Sequence, residues 1–163
     1  MIPCALKYRR KLKNYYSEEY YDFYEDTTCR FRISRDRIDG ELYFTLEKWM
    51  RLNKKFVPTK EQILFKEEIF YHFLNLFASA NLTNLGDSFD LYPSVRYSYR
   101  SRISNGNFEI TNYLGTSVNH SWLIQYTSND KFLSEISLPI HAAKNLYYAT
   151  LLENRVISSS WSV

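Results

Sequence analysis

Apolar residues along this chain fall into two alternating regions separated by one helical one. From Thr28 to Ser34, Cys29, Phe31 and Ile33 lie on one side and Arg30 and Arg32 on the other, the pattern of a half-buried strand. Ser34–Gly40 is rich in turn formers. Leu42, Phe44 and Leu46 then alternate with Tyr43 and Thr45, predicting a second strand that turns helical by Glu47. Asn53–Pro58 reads as a loop. From Thr59 the apolar spacing becomes helical: Phe65, Ile69, Phe73 and Phe77 form one row, widened by Ile63, Phe70, Leu74, Leu76, Ala80 and Leu82. Thr59 with Gln62 three residues on has the form of a capping box, and Asn81–Gly86 supplies a stop. Lys66, Glu67, Glu68, Tyr71, His72 and Asn75 mark the wet side. This predicts a long helix, apolar round most of its girth and buried.

Beyond Gly86 the alternation returns. Val95, Tyr97 and Tyr99 alternate with Arg96, Ser98 and Arg100. Asn105-Gly106 is the strongest hairpin signal in the chain. Phe108 and Ile110 continue on the far side, and Leu114–Ser117 reads as a break or bulge. Trp122, Ile124 and Tyr126 follow, then a Ser128–Asp130 turn and a strand over Phe132–Ile140. These predict about four antiparallel strands, with a short helix over Ala142–Glu153 and a closing strand or tail over Arg155–Val163. No internal repeat is visible. A greasy helix followed by a meander must bury itself against the meander's inner face. The expectation is therefore an α+β domain over residues 28–163, one long buried helix wrapped by a curved antiparallel sheet and completed by a second copy. Residues 1–27 form a charged and aromatic N-terminal arm.

That arm changes sign within itself. Lys7, Arg9, Arg10, Lys11 and Lys13 are followed by Glu18, Glu19, Asp22, Glu25 and Asp26. The two blocks pair with each other, stay solvated, or dock on RNA, anionic lipid or a protein neighbour; the first 17 residues also loosely fit a mitochondrial targeting segment. The net charge of +3 does not by itself argue for nucleic acid. With 15 Tyr and 11 Phe against 4 Gly and 4 Pro, the chain is aromatic-rich and poor in forced turns. Cys4 and Cys29 have no ligand-spaced companions, so no zinc site is expected, and a reducing compartment fits better than secretion. No apolar run is long enough for a transmembrane helix.

The strand block from Val95 to Ile140 and the Asp36, Asp39, Gly40, Tyr43, Phe44 cluster together resemble the hotdog-fold, hydroxybenzoyl-CoA-type thioesterases. Gly40 directly follows Asp39, and Glu41 stands where that family's motif has His. The resemblance implies binding or hydrolysis of an acyl thioester, with CoA or acyl-carrier protein as the carrier. A cystatin-like or nuclear-transport-factor-like sheet on a helix is the competing architecture. Asp39 and Glu41 are placed by the motif as the catalytic carboxylate, with Asp36 as a fallback; as plain chemistry, all three suit solvated turns. Arg96, Arg100 and Arg102, interleaved with Tyr97 and Tyr99, form a candidate strip for CoA phosphates or RNA. Lys54, Lys55 and Lys60 are ambiguous in the same way. His72, beside Glu68 at i−4 on the wet flank of the helix, suits a surface or interface position better than a catalytic base; His120 and His141 have no partner in sequence, and no metal or cofactor is expected. The alternative is a non-catalytic structural subunit of a large intracellular assembly, mitochondrial or cytoplasmic, docking through its arm. Partners on this reading are a second copy or a larger complex, a CoA-type ligand, and a weaker RNA contact.

Overall fold

In the computed structural model the chain is described over residues 14–84, 96–103, 106–113 and 121–152. Four strands come first: β1 (Tyr15–Glu25), β2 (Cys29–Ile38), β3 (Glu41–Leu52) and β4 (Lys55–Lys66), followed by helix α1 (Glu67–Asn84). Four more follow: β5 (Arg96–Ile103), β6 (Gly106–Tyr113), β7 (Ser121–Ser128) and β8 (Leu133–Pro139), and then helix α2 (Ile140–Leu152). Each group of four is an antiparallel meander in chain order, so a four-strand-plus-helix unit occurs twice. Sequence alone shows no such repeat, because the two units share a polar–apolar rhythm rather than residues.

The expected helix-in-a-sheet, hotdog-like architecture is thereby corrected. Among the described residues no single long helix is wrapped by one sheet; two sheets and two helices share the core. The error lies at Thr59–Lys66, which is strand. Thr59 does not cap a helix. Its hydroxyl donates to the Lys48 carbonyl at 2.9 Å and accepts from the Glu61 N–H at 3.1 Å, while the Gln62 amide donates to the Thr59 carbonyl at 2.8 Å. These local bonds sit where the β3–β4 register slips between Glu47 and Trp49, so the residues of the apparent capping box accompany a bulge instead. The helix begins at Glu67, with Glu67 and Glu68 at the positive end of its dipole. Its buried row is Ile69, Phe70, Phe73, Leu74 and Phe77, and Tyr71, His72 and Asn75 stay wet, as the spacing predicts.

Two tight turns set the first meander. Asp39 and Gly40 both have positive φ, 52° and 82°, the form favoured in two-residue hairpins. Asn53 and Lys54 do the same at 48° and 71°, so the expected loop and helical turn are replaced by strand, turn and strand. Tyr15–Glu25, part of the expected arm, is the outer strand of this sheet. The β5–β6 hairpin is present, but it closes on the Ile103–Gly106 pair, so Gly106 opens β6 instead of sitting at the centre of the turn as the Asn105-Gly106 signal predicts; residues 104–105 lie outside the described residues. Gly106 (φ 149°) packs so tightly that a Cβ there would lie 2.4 Å from the Thr127 carbonyl oxygen. The expected break at Leu114–Ser117 and the closing segment Arg155–Val163 lie outside the described residues.

The sheets bury their inner faces together. Ile33, Leu46 and Ile63 line up across the first, with Phe44 beside Phe65; Ile110, Ile124 and Ile136 line up across the second. Phe65 is where the units meet: its ring lies 5.1 Å from Phe73 of α1 and 5.7 Å from Phe108 of β6. Phe77 meets Trp122 edge-on at 6.1 Å. At the β4–β8 seam the Glu61 carboxylate accepts from the Ser137 backbone N–H at 2.9 Å and from Lys48 at 3.0 Å. Asn145 of α2 donates to the Phe23 carbonyl of β1 at 2.9 Å, tying the second unit's helix to the first unit's edge strand. No helix among the described residues is long and apolar enough to cross a membrane.

Candidate functional site

With the inner faces committed to the core, chemistry is left to the outer ones. Registers fix what they carry. On the first sheet, Asp22, Arg32, Glu47 and Gln62 form one row across β1 to β4, and Tyr20, Ser34, Thr45 and Leu64 form the next. On the second, Arg100, Glu109, Gln125 and Glu135 form the corresponding polar row across β5 to β8.

Beside its polar row, the first sheet carries a series of rings and guanidinium groups. Arg32 lies over the Tyr20 ring at 3.8 Å and over the Trp49 ring at 4.8 Å. Arg30 lies over Phe56 at 4.1 Å, and Arg51 over the same ring at 5.8 Å. Anchors hold these groups in place. The Asp22 carboxylate takes Arg32 through two N–H groups, at 2.6 and 3.2 Å. The Trp49 indole N–H donates to Glu47 at 3.0 Å. Glu25 accepts from Arg30 at 2.6 Å. Tyr20 is 60% exposed, leaving much of its ring open to a ligand.

Below this strip lies a buried polar group. Glu47 and Asp36 are 2% and 0% exposed. Ser34 Oγ lies 2.9 Å from Glu47 and 3.3 Å from Asp36, and Thr45 donates to Asp36 at 2.8 Å. Buried carboxylates held by hydroxyls fix geometry, and here they fix the carboxylate that orients Trp49.

The residues singled out by the thioesterase-like motif are spread over separate structural tasks. Asp36 belongs to that buried group. Asp39 sits exposed in the β2–β3 turn and accepts from the Asn14 amide at 3.2 Å. Glu41 opens β3 and accepts from the Tyr43 hydroxyl at 3.3 Å; burial, then Glu41, push that phenol up. His72 and His141 are exposed, while His120 lies outside the described residues. Among the described residues, no cluster of three or more His, Cys, Asp or Glu is placed to hold a metal. The acids of β1 do pair with bases, but with the arginines of β2: Glu25 with Arg30, Asp22 with Arg32 and Glu18 with Arg37.

Arg96, Arg100 and Arg102 share one face of β5 by register. Tyr97 and Tyr99 fall on the opposite face, paired with Asn112 and Ile110, so the interleaved basic–aromatic strip separates into two sides. The Arg100 side chain is 74% exposed, and its ion pair is a 3.3 Å contact to Glu109. Beside it is an open depression of about 590 Å³, lined by Arg100, Asn107, Glu109, Gln125, Thr127 and Leu133 among others. Sequence reading missed the ring platform of the first sheet. Tyr20 lies in the expected arm and Trp49 in the expected helical turn, and only the strand pairing brings them together over Arg32.

No family model and no curated protein matches the chain. Among solved structures it is similar to the bacteriophage T5 homolog of the eukaryotic transcription coactivator PC4 implicated in recombination-dependent DNA replication. That likeness has 21% identity and a TM-score of 0.31, over 45% of this chain and 89% of that one. A likeness this slight carries no weight for fold or function.

Proposed function

We propose that the protein binds single-stranded nucleic acid on the outer face of its first sheet. The observation supporting this is the platform made by the exposed Tyr20 ring with half-buried Trp49 and Phe56, a guanidinium group laid over each ring. Bases of any identity have a π face, and stacking on an aromatic side chain contributes about 1–3 kcal/mol per base. In a duplex those faces are already covered by neighbouring pairs, so an open ring platform favours unpaired strands. Arg30, Arg32 and Arg37 already pair with acids of β1, so much of their charge is neutralised within the protein. Binding at this face therefore draws on stacking more than on counterion release and weakens only modestly with salt. The acyl-thioester expectation drew on a hotdog fold that the chain does not adopt, and with that fold its support is gone.

Trp49 reports on this directly. In a Trp161→Phe background two of the chain's 3 Trp remain, and Trp122 is buried. A short deoxythymidine oligomer is expected to quench Trp49 fluorescence, and a duplex of equal length to leave it nearly unchanged. Tyr20→Ala should weaken binding by about 1–3 kcal/mol. Equal affinity for duplex and single strand, or an unaltered Kd in Tyr20→Ala, would count against the platform.

A further inference from the structure

We infer that the outer face of the second sheet is a separate phosphate-binding track, laid along β5. This rests on the reading that the ligand is single-stranded nucleic acid, and it adds where the backbone of that strand runs. Residues two apart on a strand share a face and lie about 6.6 Å from each other. Arg100 and Arg102 have this spacing, and Arg96 follows on the same face one further repeat beyond Ser98. Arg96–Ile103 contains no acid. β1, the corresponding first strand of the other unit, carries Glu18, Glu19, Asp22 and Glu25 and no base. The two units thus treat arginine in opposite ways. The first neutralises Arg30, Arg32 and Arg37 through the neighbouring strand, whereas the second leaves Arg100 74% exposed beside Glu109 at 3.3 Å.

The depression beside Arg100 adds what an anionic strand needs next to its phosphates. Asn107 presents an amide and Thr127 a hydroxyl, and Leu133, half exposed, offers an apolar wall on the far side; Glu109, paired with Arg100, also lines it, and the Gln125 amide donates to Glu135 at 2.9 Å. These groups suit the sugar and base edges of an extended strand whose phosphates follow β5. The face offers exposed charge and hydrogen-bonding groups where the first sheet offers rings, so the two faces contribute through different physics. Salt dependence belongs mainly to the second face and stacking mainly to the first.

That division gives the test. Affinity for a long deoxythymidine oligomer is measured against salt by anisotropy, in the full chain and in the Arg96→Gln/Arg100→Gln/Arg102→Gln variant. Circular dichroism checks that the variant folds. Each neutralised phosphate contributes about 0.7 to the slope of log K against log salt for single strands. The triple variant is expected to flatten the slope by about 2, Arg100→Gln alone by about 0.7, and the triple Arg→Lys variant to keep the slope. Trp49 quenching by a short oligomer should survive in all three. If the slope falls while Trp49 is never quenched, the track stands and the ring platform is lost. A triple Gln variant with an unchanged slope overturns the track. So does one whose only change is a greater tendency to aggregate, since β5 arginines would then serve to protect a sheet edge.

Discussion

The two halves of this protein follow the same plan and end with different surfaces. The first sheet has strands of 10 to 12 residues, and the second has strands of 7 or 8. In the first, charge is internalised: Asp22, Glu25 and Glu18 neutralise arginines, and Asp36 and Glu47 lie buried among hydroxyls. In the second, the polar row stays near the surface, with Arg100 and Glu135 exposed. The lesson is that a shared topology fixes where an outer face lies but not whether its charges remain available to a ligand. Cross-strand neighbours decide that: an acid opposite Arg32 holds it through two bonds, whereas Glu109 opposite Arg100 leaves it largely in water.

The largest expected effect tests whether the halves are independent. Phe65→Ala removes the ring shared by both units and should cost about 3–5 kcal/mol in urea denaturation. Trp49 and Trp122 should report one coincident transition, because Phe65 touches Phe73, Phe108 and Tyr126. Two separated transitions would mean that each unit folds alone. A smaller loss, about 1–3 kcal/mol, is expected from Glu61→Ala, which leaves the Ser137 N–H and Lys48 without their acceptor at the seam. A change of a few tenths there would show the seam to be held by apolar contact only.

Asp22→Asn sharpens the contrast in surface charge. Releasing Arg32 should cost less than about 1 kcal/mol of stability, since the pair is part exposed. It should steepen the salt dependence of oligomer binding, the opposite sign to Arg100→Gln. Equal slopes in the two variants would erase the distinction between the faces.

The smallest effect concerns acid stability of the β1–β2 turn. Burial opposes ionisation of Asp26, but N–H groups of Cys29 and Thr28 and the hydroxyls of Tyr24 and Thr28 outweigh it, holding the carboxyl well below the usual range. A depressed folded pKa contributes stability that is complete above the unfolded value, near 4, and is lost as pH falls through the folded one. Stability should therefore fall below about pH 4, with a shallower fall in Asp26→Asn, read by thermal melts across pH. In the same turn Tyr24 is pushed up to about 12, first through its hydrogen bond to Asp26, so its neutral form persists well above pH 10.

Much of the fold was legible where one period dominates. Cys29, Phe31 and Ile33 alternate with arginines and form a strand with those faces; Phe73 and Phe77 are buried on a helix whose wet side is the predicted one. Asn105-Gly106 signalled a real hairpin, although Gly106 pairs with Ile103 at the start of β6 instead of occupying the turn's centre. Legibility failed at Ile63–Ile69, where spacings of two and of four coincide and one apolar row fits both periods. It failed again at Asn53-Lys54, where a tight turn uses a lysine in a conformation its side chain disfavours. The ring platform was hidden for a different reason. Tyr20, Arg32 and Trp49 are distant in sequence and meet only through strand register.

The sequence by itself determined which side of most strands and of α1 turns away from water, since transfer of apolar groups depends on local spacing alone. It also determined that β1 is acidic and β5 basic. Only the tertiary structure decided that Thr59–Lys66 extends as a strand: β3 offers Leu46 and Phe44 opposite Ile63 and Phe65, together with a row of backbone groups that need partners. The β1–β2 register put Asp22 beside Arg32, whereas the β5–β6 register put Arg100 beside Glu109 and left it largely in water. Which charges remain free is a property of neighbours across strands, and register is set by the packing of the whole core.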